Sequence, residues 1–231
     1  AFSGELNQKD PVSCYALMAE DDLREKSSSG GAFSVLAEKV LEEGGVVAGA
    51  VWTNEYNAEQ KIIKNKEEIP LLRGSKYVQS DSKKTFKETK EWLNKGVKVL
   101  YTGMPCQING LLCYLQKDYD NLITVDLLCR GNASNELFKK FAKDNYGDQH
   151  IKRINFKEKK PLGWGATTAY EFGDGTTEKT NIHNSIWMCA FLANFMDRKS
   201  CYSCEFASTK RVGDISIGDF WGIQNYKKEL N

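Results

Sequence analysis

A strand–helix–strand pattern in the middle of the chain constrains the fold more than any other feature. Apolar runs at residues 97–101 and 122–128 predict two buried β-strands, and the stretch at about 107–116 predicts a helix between them. A unit of this length has a right-handed crossover, which makes its two strands parallel. The sequence therefore predicts an α/β fold, with a mixed β-sheet and a parallel βαβ core flanked by helices.

Further elements are predicted on both sides of this unit. Helices are expected at 32–43, 81–94 and 187–196 and after Ser134, and strands at 46–52, 61–64, 151–156 and 214–217. The runs 167–172 and 177–181 flank Gly173-Asp174-Gly175, which predicts an antiparallel hairpin. We expect a lead-in or linker at 1–13 and a single α/β redox domain at 14–231, with a hairpin excursion at about 151–182. Because the chain begins without methionine and ends on a polar run, we expect a fragment of a longer protein.

The composition excludes several classes of protein. Lys and Arg total 32 against 31 Asp and Glu, and a formal charge of +1 argues against a nucleic-acid binder. No apolar stretch approaches the roughly 18 residues of a membrane span. The seven cysteines are an odd number for a disulfide framework, and no secretion signal is visible. This combination predicts metal binding in a reducing cytoplasm.

Four cysteines form the strongest candidate site. Cys106 and Cys129 each follow one of the two predicted parallel strands, and Cys201 and Cys204 form a C-x2-C pair. Because parallel strands end at the same edge of a sheet, we expect these thiols to meet there. Four thiolates can bind zinc or an iron–sulfur cluster. Zinc sites usually draw on two close pairs, but both metals remain open, as does a third interpretation with reduced cysteines packed as small apolar residues.

The other three cysteines are predicted to lie outside that site. Cys113 is seven residues beyond Cys106 on the same predicted helix, roughly 10 Å along its axis. Cys189 falls in the apolar helix and is expected in the core. Cys14 precedes an apolar stretch that is most simply a first strand.

Two short segments have the residue types that bind anions. Ser27-Ser28-Ser29-Gly30-Gly31 offers hydroxyls and flexible backbone at a helix start, although a simple N-cap with a tight turn fits equally well. Arg73-Gly74-Ser75-Lys76-Tyr77 combines two cations, a glycine and an aromatic ring, which suits phosphate or flavin but also a surface turn. The basic stretch 139–160 is expected to be a solvated face, with docking of an acidic electron carrier as the alternative.

Five motifs in a fixed order resemble the beta-subunit family of coenzyme F-420 hydrogenases and dehydrogenases. The similarity covers residues 14–221. The motifs are Ser27-Ser28-Ser29-Gly30-Gly31-Ala32-Phe33, Leu72-Arg73-Gly74-Ser75-Lys76-Tyr77, Gly103-Met104-Pro105-Cys106-Gln107-Ile108, Val125-Asp126-Leu127-Leu128-Cys129 and Gly213-Asp214-Ile215-Ser216-Ile217-Gly218-Asp219-Phe220-Trp221-Gly222.

The resemblance implies an iron–sulfur flavoprotein oxidoreductase. It implies electron transfer between a hydride-carrying small molecule (a deazaflavin coenzyme or a related compound), FAD and a 4Fe–4S cluster, and on to a ferredoxin-like carrier or a partner redox subunit. Cluster ligands are implied at Cys106, Cys129, Cys201 and Cys204. Flavin contacts are implied at Ser28, Ser29, Gly30, Gly31, Arg73, Gly74, Ser75, Lys76, Tyr77, Thr102 and Gly103. The alternative is a zinc-binding structural or interaction domain without redox activity.

Overall fold

The structure is a computed structural model, and it describes residues 6–226. The α-helices are α1 (Asp21–Glu25), α2 (Ala32–Glu42), α3 (Ile69–Leu72), α4 (Thr85–Asn94), α5 (Pro105–Leu115), α6 (Asn135–Tyr146) and α7 (Ile186–Leu192). The strands are β1 (Val46–Trp52), β2 (Ala58–Ile63), β3 (Ser80–Asp81), β4 (Val99–Gly103), β5 (Leu122–Leu127), β6 (Ile151–Glu158), β7 (Thr167–Phe172), β8 (Thr177–Asn181) and β9 (Ile215–Ile217).

A mixed six-stranded sheet forms the larger part of the fold. Its strand order is β3-β2-β1-β4-β5-β9, in which β1 and β2 are antiparallel and the other neighbours are parallel. All five residues of β4 are buried, as expected for a central parallel strand covered on both faces. The predicted parallel βαβ unit is confirmed as β4–α5–β5.

Helices cover both faces of this sheet because its side chains alternate between two cores. Val47 and Leu100 point to the face that packs against α2 and α3. Val46 and Tyr101 point to the opposite face, which packs against α4 and α5. This alternation follows from the two-residue period of a β-strand.

A second, antiparallel sheet contains the predicted hairpin. Its order is β6-β7-β8, and β7 and β8 have the predicted bounds. Its core is aromatic and includes side chains from α6 and α7: the rings of Phe138 and Trp187 meet edge to face, with centroids 4.7 Å apart. The predicted fold class is therefore confirmed in both of its parts.

Several predicted boundaries are wrong for identifiable reasons. Helix α5 begins at Pro105 rather than at 107, because proline fits the first helical position, so Cys106 lies in the helix and not in a loop. Helix α4 begins at Thr85 rather than at 81, because Asp81 pairs with β2 as part of β3. Helix α7 ends at Leu192, shortly before Asn194 adopts a left-handed conformation (φ 59°).

Two predictions about single cysteines are also wrong. Cys14 is exposed in a segment that forms no helix or strand between residues 10 and 20. Cys189 is exposed rather than part of the core, because α7 buries Trp187, Met188 and Phe191 and Cys189 lies off that stripe.

In the part of the chain that is described, no helix combines the length and the apolar character needed to cross a lipid bilayer.

Candidate functional site

The four cysteines predicted to act together lie at one edge of the larger sheet and in one loop. Cys106 is in the first turn of α5, directly beyond β4, and Cys129 follows the end of β5. These strands are parallel neighbours, so both residues lie at the same sheet edge. Cys201 ends a 3-10 turn (Lys199–Cys201), and Cys204 follows three residues later.

The cysteines of this group affect one another's pKa values. Cys106 and Cys129 are both exposed as whole residues. Burial raises the pKa of Cys106, and Cys204 and Cys201 raise it further. Burial raises the pKa of Cys129 to about 11, and the other three thiols act in the same direction. Such interactions weaken with distance, so the four cysteines lie in one region of the structure.

The chemistry of this group fits a thiolate-bound metal or cluster. Within residues 6–226, no set of three or more His, Cys, Asp or Glu side chains is gathered tightly enough to hold a metal ion. Four sulfur donors are nevertheless the set that zinc and iron–sulfur clusters share. With raised pKa values, Cys106 and Cys129 stay protonated at neutral pH, so a bound cation would have to displace their protons.

A buried carboxylate positions the chain that leaves the Cys201–Cys204 loop. Asp126 of β5 accepts a hydrogen bond from Arg211 Nη2 (2.6 Å) and from the backbone N–H groups of Val212 (3.0 Å) and Gly213 (2.9 Å). Two residues further on, β9 pairs with β5 in parallel. The loop that carries two of the cysteines is thus fixed to the strand that precedes a third.

The two segments predicted to contact a flavin lie against each other. Ser28 Oγ accepts a hydrogen bond from the backbone N–H of Ser75 (3.1 Å). Arg73 Nε donates to Ser34 Oγ (2.9 Å), which in turn is 3.2 Å from Ser27 Oγ. Segments 27–31 and 73–77 therefore form one continuous surface.

The side chain of Lys76 has a structural role within that surface. Its ammonium group donates to the backbone carbonyls of Leu71 (3.2 Å), Leu72 (3.1 Å) and Arg73 (2.8 Å), at the end of α3. Burial lowers the pKa of Lys76 to about 7. Gly74, which has a φ of 87°, allows the loop to turn back so that Lys76 reaches these carbonyls.

The remaining predicted flavin residues are closely packed. A Cβ atom on Gly30 would lie 2.9 Å from the Leu17 carbonyl oxygen, and one on Gly31 would lie 2.9 Å from Ala19 Cβ. Thr102 is buried and its hydroxyl donates to the Ala48 carbonyl (2.8 Å). Gly103 lies beside the Gln107 side chain, one turn into α5. The two glycines are thus covered by the chain's own residues 17–19.

Sequence reasoning missed a group of residues that joins the two sheets. Lys157 of β6 forms a buried ion pair with Asp219; burial alone would lower the pKa of Lys157, but Tyr77 and Asp219 raise it. Trp164 stacks on Trp221 with ring centroids 4.3 Å apart, and its Nε1 donates to the Ser28 carbonyl (3.1 Å). The motif from Gly213 to Gly222 contains Asp219 and Trp221, and it could have directed attention to these two residues. By contrast, Lys157 belongs to the stretch predicted to be a solvated face, and for this residue the prediction is wrong.

Comparisons with known proteins agree with the resemblance. Two family models of the coenzyme F420 hydrogenase/dehydrogenase beta subunit match the chain. The model of its N-terminal part matches residues 13–87, and the model of its C-terminal part matches residues 96–230. A search of curated proteins found no match.

Among solved structures, the chain is similar to a chain of the F420-reducing [NiFe] hydrogenase complex from Methanosarcina barkeri, studied as a xenon derivative. The TM-score is 0.62 at 18% identity, and the match covers 94% of this chain and 73% of that one. At this identity the match shows the fold alone. Because the C-terminal family model alone spans more than half of the sequence, the chain belongs to the coenzyme F420 hydrogenase/dehydrogenase beta-subunit family and is an electron-transfer oxidoreductase.

Proposed function

We propose that this chain passes electrons through a 4Fe–4S cluster held by Cys106, Cys129, Cys201 and Cys204, and through an FAD held beside segments 27–31 and 73–77. The observation that carries the proposal is the shared sheet edge of Cys106 and Cys129, together with the hydrogen bonds that fix the chain after the Cys201–Cys204 loop to β5. When bound, the flavin would exchange a hydride as an electron pair and the cluster would carry single electrons.

The protein's own contribution is to place and shield these groups. The thiols come from separate elements that the β4–β5 and β5–β9 pairings hold in register. Binding would release the protons that Cys106 and Cys129 retain at neutral pH. The hydrogen bond between Ser28 and Ser75 would keep the two flavin segments at a fixed separation. Arg73 and Lys76 would act mainly by shaping their loop, since both already have protein partners.

The partners follow from the same proposal. The hydride carrier would be a deazaflavin coenzyme or a related compound, and the electrons would pass to a ferredoxin-like carrier or a partner subunit. The similar solved chain belongs to a hydrogenase complex, which supports a partner subunit. All seven cysteines are free, which supports a reducing compartment such as the cytoplasm.

Metal and flavin analysis after anaerobic purification tests this function. We expect a brown protein with about four irons and four sulfides per chain, together with bound FAD. Cys106→Ser should lower the iron content, whereas the matched variant Cys113→Ser, on the same helix, should keep it. One zinc per chain without iron or flavin would contradict the proposal and would favour a structural zinc domain.

A further inference from the structure

A polar cavity lies beside the cysteine-bearing turn of α5. Its volume is about 440 Å³, and it is lined by Gln79, Ser80, Asp81, Ser82, Gln107 and Asn135. Three elements meet around it: the edge strand β3 with the residues on either side, the first turn of α5, and the first residue of α6. Gln107 directly follows Cys106, and Gln79 lies two residues beyond Tyr77. The cavity is therefore lined by residues that are close in sequence to Cys106 and to the second proposed flavin segment.

The polar groups at the back of the cavity are already fixed. Ser80 is only 5% exposed, and its hydroxyl oxygen is within hydrogen-bond distance of Gln107 Nε2 (3.0 Å) and Gln60 Nε2 (3.3 Å). Asn135 accepts from the Ala58 N–H (3.0 Å) and donates to the Gln79 carbonyl (3.0 Å). These bonds hold the lining in place, so little side-chain entropy would be lost when a ligand binds.

The lining indicates which chemistry the cavity would recognise. Five of the six residues are neutral and polar, with hydroxyl or amide groups, and the sixth, Asp81, is acidic. Carboxylates commonly accept hydrogen bonds from sugar hydroxyls, as in the binding of ribose by nucleotide-binding folds. A phosphate would be repelled by Asp81, and an apolar group would offer its carboxylate no hydrogen bond.

We propose that this cavity binds the polyol part of a nucleotide-like cofactor, with Asp81 and Ser82 hydrogen-bonding its hydroxyl groups. The identity of the ligand rests on the proposed flavin function. In FAD, that part is either the ribityl chain or the ribose of the adenosine half. Asp81 Oδ1 also accepts from the Lys83 N–H (2.8 Å), and Oδ2 lies 3.5 Å from the Lys83 ammonium. Each carboxylate oxygen keeps a further lone pair for a ligand.

Ligands that differ only in their polyol part test the proposal. Riboflavin, lumiflavin (the same ring without the ribityl chain) and adenosine are titrated into the purified chain and into Asp81→Asn and Ser82→Ala. Asparagine keeps the acceptor for the Lys83 N–H, so the local turn is preserved. Asp120→Asn is the control. Asp120 precedes the start of β5 and so lies at the opposite end of the strands from the cavity.

We expect Asp81→Asn to bind either riboflavin or adenosine about tenfold more weakly, as for loss of a hydrogen bond to a charged group. Lumiflavin affinity should not change, and Asp120→Asn should match the wild type. Weaker riboflavin binding assigns the ribityl chain, and weaker adenosine binding assigns the ribose. Unchanged affinities, or an equal loss for lumiflavin, would overturn the proposal.

Failure of the flavin function has a different signature. FAD is titrated alongside these ligands: if the wild-type chain does not bind FAD, the flavin function fails, and adenosine alone then decides the cavity. Adenosine that shifts the NMR signals of the Gln79 and Gln107 side-chain amides, and loses affinity in Asp81→Asn, would support a polyol site. Absence of adenosine binding in that case would overturn it.

Discussion

At the scale of single residues, the buried Asp126 carboxylate is the most constrained charged group of the larger sheet. It has no exposed surface and accepts hydrogen bonds from Arg211 and two backbone N–H groups, about 85 residues away in sequence. A carboxylate can be buried at this depth only if its charge and its lone pairs are satisfied. Both conditions are met here by the loop that returns from the Cys201–Cys204 pair.

Asp126→Ala should therefore strongly destabilise the protein. We expect the free energy of unfolding to fall by about 3–5 kcal/mol, because Arg211 would be left as an uncompensated, largely buried charge. Urea denaturation followed by circular dichroism measures the change. Asp144→Ala is the matched control, since it breaks an exposed ion pair with Lys140 (2.9 Å) and should barely move the midpoint. Equal effects of the two substitutions would show that Asp126 is not held as described.

At the scale of elements, a glycine lets the chain after β5 pass close to the chain that leads to Cys201. Gly131 has a positive φ, and a Cβ atom there would lie 2.3 Å from Asp197 Oδ1. Gly131 is two residues beyond Cys129, and Asp197 is four residues before Cys201. A side chain at this position would collide with the Asp197 carboxylate, which would have to shift where two segments that carry cysteines of the proposed cluster meet.

Gly131→Ala should lower both stability and iron content. Gly96→Ala is the control: Gly96 also has a positive φ (75°), but a Cβ atom there meets nothing within 4 Å. We expect the control to lose about 1 kcal/mol from backbone strain alone and to load iron normally. Thermal unfolding and iron per chain are measured after identical anaerobic reconstitution. Full iron loading of Gly131→Ala would contradict the close approach.

The elements also show what the sequence could predict. Long, periodic segments such as α2, β1 and the hairpin strands were located to within a residue, because their patterns are local. The two-residue strand β3 was not predicted, since its pairing with β2 depends on tertiary contact. The shared sheet edge of Cys106 and Cys129 could be anticipated from the parallel strands that precede them. The Lys157–Asp219 pair could not, because its members lie 62 residues apart, one in β6 and the other in the segment after β9.

At the scale of the whole molecule, the core of each sheet contains a buried tyrosine whose pKa is raised. Burial raises the pKa of Tyr101 to about 12, against a smaller opposing effect of hydrogen bonds from Thr85 and Ser82. Tyr101 lies in a core of the larger sheet. Burial also raises the pKa of Tyr170, in the aromatic core of the second sheet. Both phenols are therefore held protonated in the folded protein.

This arrangement predicts a loss of stability at alkaline pH. An unfolded tyrosine ionises near pH 10, so the folded state binds more protons than the unfolded state above that pH. The contribution of Tyr101 is fully present below about pH 10 and is lost as the pH rises towards 12. Tyr101→Phe should reduce the fall in the urea midpoint between about pH 9 and 11.5, while Tyr15→Phe, at an exposed position, should leave it unchanged. An identical fall in both variants would contradict the burial of Tyr101.

The larger sheet draws on both regions matched by the family models. Strands β1, β2 and β3 come from the N-terminal region, and β4, β5 and β9 come from the C-terminal one. The boundary between the two regions runs between β1 and β4, which pair through Val46–Val99, Val47–Leu100 and Ala48–Tyr101. If the chain were divided there, β1 and β4 would each become an edge strand. Their unpaired backbone groups would favour aggregation. The two family segments are thus complementary parts of one sheet, and we expect an exchange between proteins to require both.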